Sequence, residues 1–317
     1  MVNPTVISTF AGCGGSSLGY QMAGFHELLA VEWDQNAVDT FRLNFPDIPV
    51  YHGDIAKLTG AECMKLSGID KGMLDVLDGS PPCQGFSTAG KRKFDDPRNS
   101  LFKEYARLLS ELQPKVFVME NVTGMVKGGM KQAYLQIIKT LRECGYKAKG
   151  EVMNAMYFNV PQSRERVIII GVREELGIEP SHPKPQGKPI SVKSAIGDLV
   201  GKDLKEIHHS RYFRANDSKS FINWNKTKHG DPVLGQSLYK IHPDRPCNSV
   251  KKSSELFHYS ENRPLTAREY ARLHGYPDTF KFISSTSAHK RIGNSVPPNL
   301  MRAIAEHIKI NILEVKP

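Results

Sequence analysis

Long apolar runs, paired cysteines and an export signal are all missing from this sequence. The longest apolar runs, such as residues 167–172, are far too short to span a bilayer, and the N-terminus MVNPTV lacks the features of a signal peptide. Five cysteines without any Cys-x-x-C spacing predict neither a disulfide framework nor a zinc site. We therefore expect a cytoplasmic protein without a bound metal, in a reducing compartment where a thiol is available for chemistry.

Acidic residues are too few to balance the basic ones. The chain has 43 Lys and Arg against 33 Asp and Glu, a net charge of +10 in 317 residues. Residues 181–260 hold 14 basic and 7 acidic side chains, so most of the excess lies in that quarter of the chain. A local basic excess attracts polyanions, which favours a nucleic-acid partner over the alternative of a chance imbalance on a solvated surface.

Strand-like and helix-like segments alternate through the first half of the chain. This alternation predicts an α/β fold with a parallel sheet covered by helices on both faces. The predicted strands are residues 5–10, 28–32, 73–77, 116–119 and 167–172, and the predicted helices are residues 37–44, 100–112 and 131–143.

The pattern changes after about residue 173, where four prolines punctuate a polar linker. Short, weakly periodic segments follow to about residue 260, and helical patterning returns at 266–273 and 299–312. We predict a catalytic, cofactor-binding domain over residues 1–180 and a smaller target-recognition domain with its hinge over 181–285. A C-terminal segment over 286–317 is expected to return to the first domain.

A glycine-rich turn follows the first predicted strand, in the sequence Phe10-Ala11-Gly12-Cys13-Gly14-Gly15. Glu32 ends the next strand, twenty residues after Gly12. Glycines let a ligand approach the backbone, and an acid at that position accepts hydrogen bonds from ribose hydroxyls. The pattern fits a dinucleotide, S-adenosylmethionine or merely a tight turn.

Cys83 lies just beyond a predicted strand, within Gly79-Ser80-Pro81-Pro82-Cys83-Gln84-Gly85-Phe86-Ser87. A free cysteine is most often a small buried core residue. Two prolines and a glycine-serine loop suit a buried position poorly, and the carboxyl edge of such a sheet is where ligands bind. We therefore favour a nucleophile.

Charged residues flank two further predicted strands. Glu120 follows residues 116–119 and is either an acid/base group or an ordinary turn acid. Arg164 and Arg166 precede residues 167–172 and point to the same side if that strand starts early. They would then suit a phosphate or carboxylate partner, and the alternative is an edge-strand charge pair.

Taken in order, these motifs resemble those of the C5-cytosine DNA methyltransferases of the bacterial modification-enzyme type. The resemblance runs from about Thr5 to Leu300, except for the variable segment between Arg173 and Arg263; serine stands at position 8, where many members carry aspartate. The matching motifs are Phe-Ala-Gly-Cys-Gly-Gly, Glu32-Trp33, Gly53-Asp54-Ile55, Pro-Pro-Cys-Gln-Gly-Phe-Ser, Glu120-Asn121-Val122, Gln-Ser-Arg-Glu-Arg, Arg-Pro-Leu-Thr-Ala-Arg-Glu and Gly-Asn-Ser-Val-Pro-Pro.

The resemblance implies a Rossmann-like S-adenosylmethionine-dependent methyltransferase domain with a smaller target-recognition domain. It implies Cys83 as nucleophile, Glu120 as its partner on the base, and Arg164 and Arg166 as anchors of base and phosphate. Residues implied to bind S-adenosylmethionine are Phe10, Gly12, Gly14, Gly15, Glu32, Trp33, Asp54, Ile55, Pro82, Leu101, Asn294 and Ser295.

The implied reaction is methyl transfer to C5 of a flipped-out cytosine in a specific duplex DNA sequence, through a covalent Cys83–C6 adduct. We expect residues 84–99 to close over the flipped base, and residues 181–260 to read the major groove. The expected partner is double-stranded DNA; a restriction endonuclease acting on the same site without direct contact is one alternative, and a solitary enzyme without such a nuclease is the other. The chain is expected to act as a monomer at the nucleoid of a prokaryote. The predicted DNA contacts are Gln84, Ser87, Lys91, Arg92 and Arg98.

Three other functions fit part of this pattern. The tRNA-directed branch of the family shares the catalytic residues, but the basic variable segment and the missing Cys-Phe-Thr signature favour DNA. A catalytically silent DNA-binding module is disfavoured by the intact Cys83, Glu120 and Arg164. A nicotinamide oxidoreductase is supported by the glycine turn and Glu32 alone.

Overall fold

The computed structural model describes residues 3–82, 100–126, 131–202, 224–234, 238–251 and 255–315. Its strands are β1 (Thr5–Thr9), β2 (His26–Glu32), β3 (Val50–His52), β4 (Val76–Gly79), β5 (Val116–Val122), β6 (Tyr146–Asn154), β7 (Gln162–Ser163), β8 (Glu165–Arg173), β9 (Pro232–Leu234), β10 (Leu238–Lys240), β11 (Cys247–Asn248) and β12 (Glu255–Phe257). Its α-helices are α1 (Gly15–Met22), α2 (Gln35–Asn44), α3 (Gly60–Ser67), α4 (Ser100–Leu112), α5 (Lys131–Glu143), α6 (Val192–Ile196), α7 (Ala267–Leu273), α8 (Ser285–Asn294) and α9 (Pro298–Ile308).

A seven-stranded sheet in the order β3-β2-β1-β4-β5-β8-β6 is the central element of the described chain. The five strands from β3 to β5 are parallel to their neighbours, as predicted, but β8 runs antiparallel to β5. The prediction of an all-parallel sheet is wrong at this strand. Both β5 and β8 are buried apolar runs, and such a run carries no information about strand direction.

Apolar side chains from the sheet and from α3, α4 and α5 form one large buried cluster. In α4, the six buried residues Phe102, Tyr105, Ala106, Leu108, Leu109 and Leu112 follow helical spacing, so one face of the helix packs on the sheet. Helix starts are fixed locally: Asp34 accepts a hydrogen bond from the backbone of Ala37 at α2, and Thr59 caps α3 in the same way. These contacts place the carboxyl ends of β1, β2 and β4 side by side.

The chain forms two compact units. The first contains residues 1–153, 165–184 and 301–317, and the second contains residues 154–164 and 185–300. The predicted boundary at residues 180 and 181 lies four residues before the crossing at residues 184 and 185. Two segments differ from the predicted division, because residues 154–164 and 286–300 fall in the second unit. The return to the first unit begins at Met301, inside α9.

Small sheets characterise the second unit. β9, β10 and β12 form a three-stranded sheet, and β7 pairs in parallel with β11. Thr266 and Glu269 form a capping box at the start of α7, and Arg263 makes a bidentate ion pair with the same glutamate. Among the helices of the described residues, none combines the length and apolar character that a bilayer crossing requires.

Candidate active site

A cavity of about 200 Å³ lies at the carboxyl ends of β1 and β2 in the first unit. Its wall contains apolar side chains, an exposed indole and two carboxylates, the mixture of apolar surface and a few polar groups that is typical of a small-molecule site. The lining residues are Phe10, Val31, Glu32, Trp33, Gly53, Asp54, Ile55, Pro82 and Leu101.

The glycine turn brings the backbone to one end of this cavity in a strained conformation. Phe10 has φ of 55°, a left-handed value that costs about 1–2 kcal/mol for a residue with a side chain. Gly12 and Gly14 also have positive φ, of 58° and 95°. A Cβ on Gly14 would lie 2.4 Å from the ring of Phe45, so this position needs glycine for space as well as for conformation. Gly15 begins α1 directly after the turn.

The Glu32 carboxylate ties the turn to the end of β2. Its Oε2 accepts a hydrogen bond from the backbone N–H of Gly12 at 2.8 Å. Its Oε1 accepts from the backbone N–H groups of Trp33 and Asp34, both at 2.9 Å. The side chain is buried, so the carboxylate orders the backbone around the cavity as well as lining it.

The opposite wall of the cavity is held by a short turn after β3. Asp54 accepts from the backbone N–H of Ala56 and caps this turn. Arg107 of α4 donates to the carbonyl oxygens of Ile55 and Leu58 at 3.0 and 2.9 Å. Trp33 is 77% exposed, so its indole face is available to a ligand.

An ion pair joins β5 and β8 beside this edge of the sheet. Arg166 Nε lies 2.7 Å from Glu120 Oε1, and both side chains are mostly buried. The pairing register places Arg166 opposite Val122, so the two charged groups meet diagonally across the antiparallel strands. A carboxylate held in this way can accept a proton or a hydrogen bond, and the guanidinium supplies compensating charge.

Asn121 connects this pair to the segment that leads to Cys83. Its Nδ2 donates to the carbonyl oxygen of Pro81 at 3.0 Å, and Pro82 lines the cavity. The Pro81-Pro82 segment therefore contacts the cavity through Pro82 and the neighbour of Glu120 through Pro81. Asn121 was predicted only as part of a motif. Its hydrogen bond to Pro81 could not be predicted, because an amide next to a glutamate in the sequence does not indicate its partner.

Arg164 has surroundings unlike those of Arg166. It is fully buried in the second unit and donates to the carbonyl oxygens of Val250, Gly293 and Ser295 at 2.8–3.1 Å. The structure therefore shows Arg164 bracing backbone carbonyls, and its binding of base or phosphate stays a prediction. The strand begins at Glu165, so the condition under which both arginines would share one side of it is not met.

Two of the residues predicted to bind the cofactor lie in the second unit. Asn294 is exposed at the end of α8, and the Ser295 hydroxyl accepts from Tyr276 and donates to the carbonyl of Ile292, all within the second unit. Val31 and Gly53 line the cavity without having been predicted to bind the cofactor, since one belongs to an apolar strand and the other offers no side chain. Six predicted residues lie outside the described residues, namely Cys83, Gln84, Ser87, Lys91, Arg92 and Arg98.

The chain is similar to known proteins over nearly its whole length. A profile of C-5 cytosine-specific DNA methylases matches residues 4–310. The Type II methyltransferase M1.HphI of Haemophilus parahaemolyticus is 37% identical over 98% of this chain and 88% of its own length. The Type II methyltransferase M.NgoPII of Neisseria gonorrhoeae is 34% identical over 96% of this chain and 95% of its own.

Solved structures show the same fold. A prophage-encoded DNA modification methyltransferase of Escherichia coli superimposes with a TM-score of 0.82 and 26% identity, over 98% of this chain and 100% of the other. A DNMT2 of Spodoptera frugiperda gives 0.70 at 20% identity, over 97% of this chain and 99% of its own, which speaks for the fold alone.

The fold is that of a Rossmann-like methyltransferase. Within that class, the chain belongs to the C-5 cytosine-specific DNA methylases. It is a DNA (cytosine-5-)-methyltransferase similar to the Type II enzymes of bacterial restriction-modification systems.

Proposed function

We propose that the protein transfers a methyl group from S-adenosyl-L-methionine to C5 of a flipped-out cytosine in a specific duplex DNA sequence. The observation that supports this most strongly is the cavity bounded by Phe10, Glu32 and Trp33. Pro82 lines this cavity, and the carbonyl oxygen of Pro81 accepts a hydrogen bond from Asn121, the neighbour of Glu120 in the Glu120–Arg166 pair. Bound in the cavity, S-adenosylmethionine supplies an activated methyl group on a sulfonium centre. Glu32 and Asp54 are placed to orient its ribose and adenine.

Cys83 is the nucleophile in this proposal. Cytosine C5 is a poor nucleophile, and addition of the Cys83 thiolate to C6 turns the ring into an enamine whose C5 is nucleophilic. C5 then takes the methyl group. Loss of the proton from C5 and departure of the Cys83 sulfur from C6 restore the aromatic ring. The base is unreachable inside a duplex stack, so the nucleotide must first be flipped out.

Glu120 acts on the base at the moment of addition. Hydrogen bonds from its carboxyl to N3 and from the exocyclic amine to its oxygen stabilise the charge that develops in the ring. A carboxyl group donates to N3 only when it is protonated. Arg166, 2.7 Å away, holds the side chain in position, and Asn121 keeps the Pro81 segment beside it.

DNA is bound by the parts of the chain that carry the basic excess. Residues 84–99 include Lys91, Arg92 and Arg98, which suit phosphate contacts, and residues 181–260 are proposed to read bases in the major groove. We propose that the enzyme acts as a monomer on chromosomal DNA, with a restriction endonuclease directed at the same sequence and no direct contact between the two.

Covalent trapping on 5-fluorocytosine DNA tests the mechanism. Fluorine at C5 cannot leave as a proton does, so the enzyme should remain attached to a 5-fluorocytosine-substituted duplex library when S-adenosylmethionine is present. We expect a complex stable to denaturing electrophoresis with the wild-type enzyme and none with Cys83→Ala. Glu120→Gln should slow its formation by about 10²–10⁴-fold, because a positioned acid is lost.

Cys144→Ala is the matched control, since Cys144 is a half-buried free thiol of the same unit. It should be trapped as the wild type is. Trapping of Cys83→Ala, or failure to trap the wild type on DNA that it methylates, would contradict the covalent mechanism. Methyl transfer to tRNA in place of duplex DNA would contradict the proposed substrate.

A further inference from the structure

A layer of buried polar side chains crosses the sheet of the first unit beneath α1. Strand register pairs Ser8 with Asp78 and Val6 with Glu27, and paired residues project from the same face of a sheet. A register shift after Val6 leaves Leu28 unpaired, which brings Glu27 onto the face of Ser8. Glu27, Ser8 and Asp78 therefore lie on three neighbouring strands, and all three are buried.

Hydroxyl groups of α1 bind the two carboxyls of this layer. Ser17 Oγ donates to Glu27 Oε1 at 3.0 Å, and Tyr20 OH donates to Asp78 Oδ1 at 3.4 Å. The Thr9 hydroxyl donates to the carbonyl oxygen of Asp78, which fixes the backbone there as well. Because α1 starts at Gly15, the same helix that closes over Asp78 begins in the glycine turn of the cavity.

Asp78 also faces the candidate catalytic glutamate. It pairs with Val118 on β5, and Glu120 lies two residues further along that strand on the same face. Burial and, after it, the charges of Glu27 and Glu120 raise the pKa of Asp78 from 3.8 to about 8, against hydrogen bonds from Ser16 and Tyr20 that lower it. The charge of Glu120 therefore acts on Asp78 across the two neighbouring strands.

We propose that Asp78 is a positioning residue for methyl transfer, which must be uncharged for α1 and Glu120 to hold their working positions. The inference rests on the proposed role of Glu120 at the base. Three residues after Asp78 comes Pro81, which Asn121 binds, so the strand links the buried carboxyl directly to the segment that carries Cys83. Ionised Asp78 would place a buried negative charge under α1 and within electrostatic reach of Glu120.

The groups that surround Asp78 set the pH at which its carboxyl ionises. They are Tyr20 on α1, Glu27 on β2, Tyr105 on α4 and Glu120 on β5, with Arg166 on β8 facing Glu120. Burial raises the pKa of both tyrosines well above 10, so they stay neutral through the range of interest. The transition near pH 8 is then the ionisation of the Asp78 carboxyl.

The test is the pH profile of single-turnover methyl transfer at saturating DNA and S-adenosylmethionine. Loss of one proton at about pH 8 predicts that the wild-type rate, divided by the Asp78→Asn rate at the same pH, falls about tenfold between pH 7 and pH 9; the division removes the rise that ionisation of the Cys83 thiol gives both proteins. Asp78→Asn keeps the shape and cannot ionise, so its ratio of rates at pH 9 and pH 7 should lose this decline. A purely structural residue would change the rate at both values and leave the ratio as it was.

Two further variants move the same transition in opposite directions. Tyr20→Phe removes a hydrogen bond to the carboxylate, so the decline should move to higher pH. Glu27→Gln removes a neighbouring negative charge, so it should move to lower pH. These shifts test the inference even if Asp78→Asn does not fold.

Identical pH profiles in all four proteins would overturn the inference. Glu120→Gln separates this outcome from failure of the proposed function. If that variant methylates DNA at the wild-type rate, the role of Glu120 is wrong; if it is impaired while the profiles coincide, only the role of Asp78 is wrong.

Discussion

Glu32 shows how one buried carboxylate can organise a cavity. Its two oxygens accept three backbone N–H groups, from Gly12, Trp33 and Asp34. An amide of the same shape has one accepting oxygen, so Glu32→Gln must set its NH₂ group against at least one of these donors. We expect a loss of about 1–3 kcal/mol in cofactor binding, a rise of about 5- to 150-fold in the dissociation constant of S-adenosylmethionine.

Isothermal titration with S-adenosylmethionine measures this effect. Asp47→Asn is the matched control, because Asp47 is an exposed acid between α2 and β3 and its replacement removes the same charge as Glu32→Gln. It should bind the cofactor as the wild type does. Equal affinity in both variants would mean that Glu32 does not hold the glycine turn in the binding conformation.

The two arginines of the Gln-Ser-Arg-Glu-Arg motif should fail in different ways. The planar guanidinium of Arg164 donates to three carbonyl oxygens, and the ammonium group of Arg164→Lys cannot reproduce this geometry. We therefore expect the free energy of unfolding to fall by about 2–4 kcal/mol and the melting temperature to fall by several degrees. Arg166→Lys is expected to keep its melting temperature and to lose methyl-transfer rate, because its partner is Glu120. Calorimetry and a methylation assay on both variants compare the two. An Arg164→Lys variant of normal stability that cannot methylate would instead support a role for Arg164 at the base.

At the scale of elements, the glycine turn depends on two separate physical limits. Gly12 has φ of 58° with open space around its missing side chain, so Gly12→Ala should cost only about 1–2 kcal/mol for the left-handed backbone. Gly14→Ala adds a clash with Phe45, which packs at the end of α2. We expect the second variant to be less stable than the first and to lose cofactor binding. Thermal unfolding and cofactor titration measure both effects, and equal losses would show that the clash relaxes.

Strands could be predicted where their residues are continuously apolar, and they were missed where the composition is mixed or the strand is very short. The runs at β5 and β8 are continuously apolar, whereas β6 alternates lysine with small residues and β3 spans only Val50–His52. Register was beyond prediction altogether. Nothing in the sequence of β2 signals the shift that brings Glu27 beneath α1, and Asp78 looks like a turn residue before Gly79.

The whole molecule contains a site whose parts lie far apart in sequence. Order and spacing of motifs named seven of the residues that line the cavity, because most of these follow strand ends that a parallel sheet brings together; their binding of a cofactor stays a prediction. They could not separate Arg164 from Arg166, since the two units divide the chain between Arg164 and Glu165. Ser8 stands where the family resemblance implies an aspartate, and its register partner Asp78 supplies a carboxyl to the same layer from the neighbouring strand.

The buried carboxyls also determine how stability of the first unit responds to pH. Burial raises the pKa of Glu27 to about 7 and that of Asp78 to about 8, so the folded protein keeps protons that the unfolded chain releases near pH 4. Their contribution to stability is complete below that value and is lost as pH rises to the folded pKa. For each group the free energy of unfolding falls by at most about 1.4 kcal/mol per pH unit.

Asp78→Asn and Glu27→Gln each remove one of these contributions. Their stability relative to the wild type should therefore rise from pH 5 upwards, and should level off near pH 8 for Asp78→Asn and near pH 7 for Glu27→Gln. Urea unfolding of the three full-length proteins at pH 5, 6, 7 and 8 measures the differences. Differences that stay constant over this range would show that both carboxyls are already ionised in the folded protein, bound as anions by the hydroxyls of Ser17 and Tyr20.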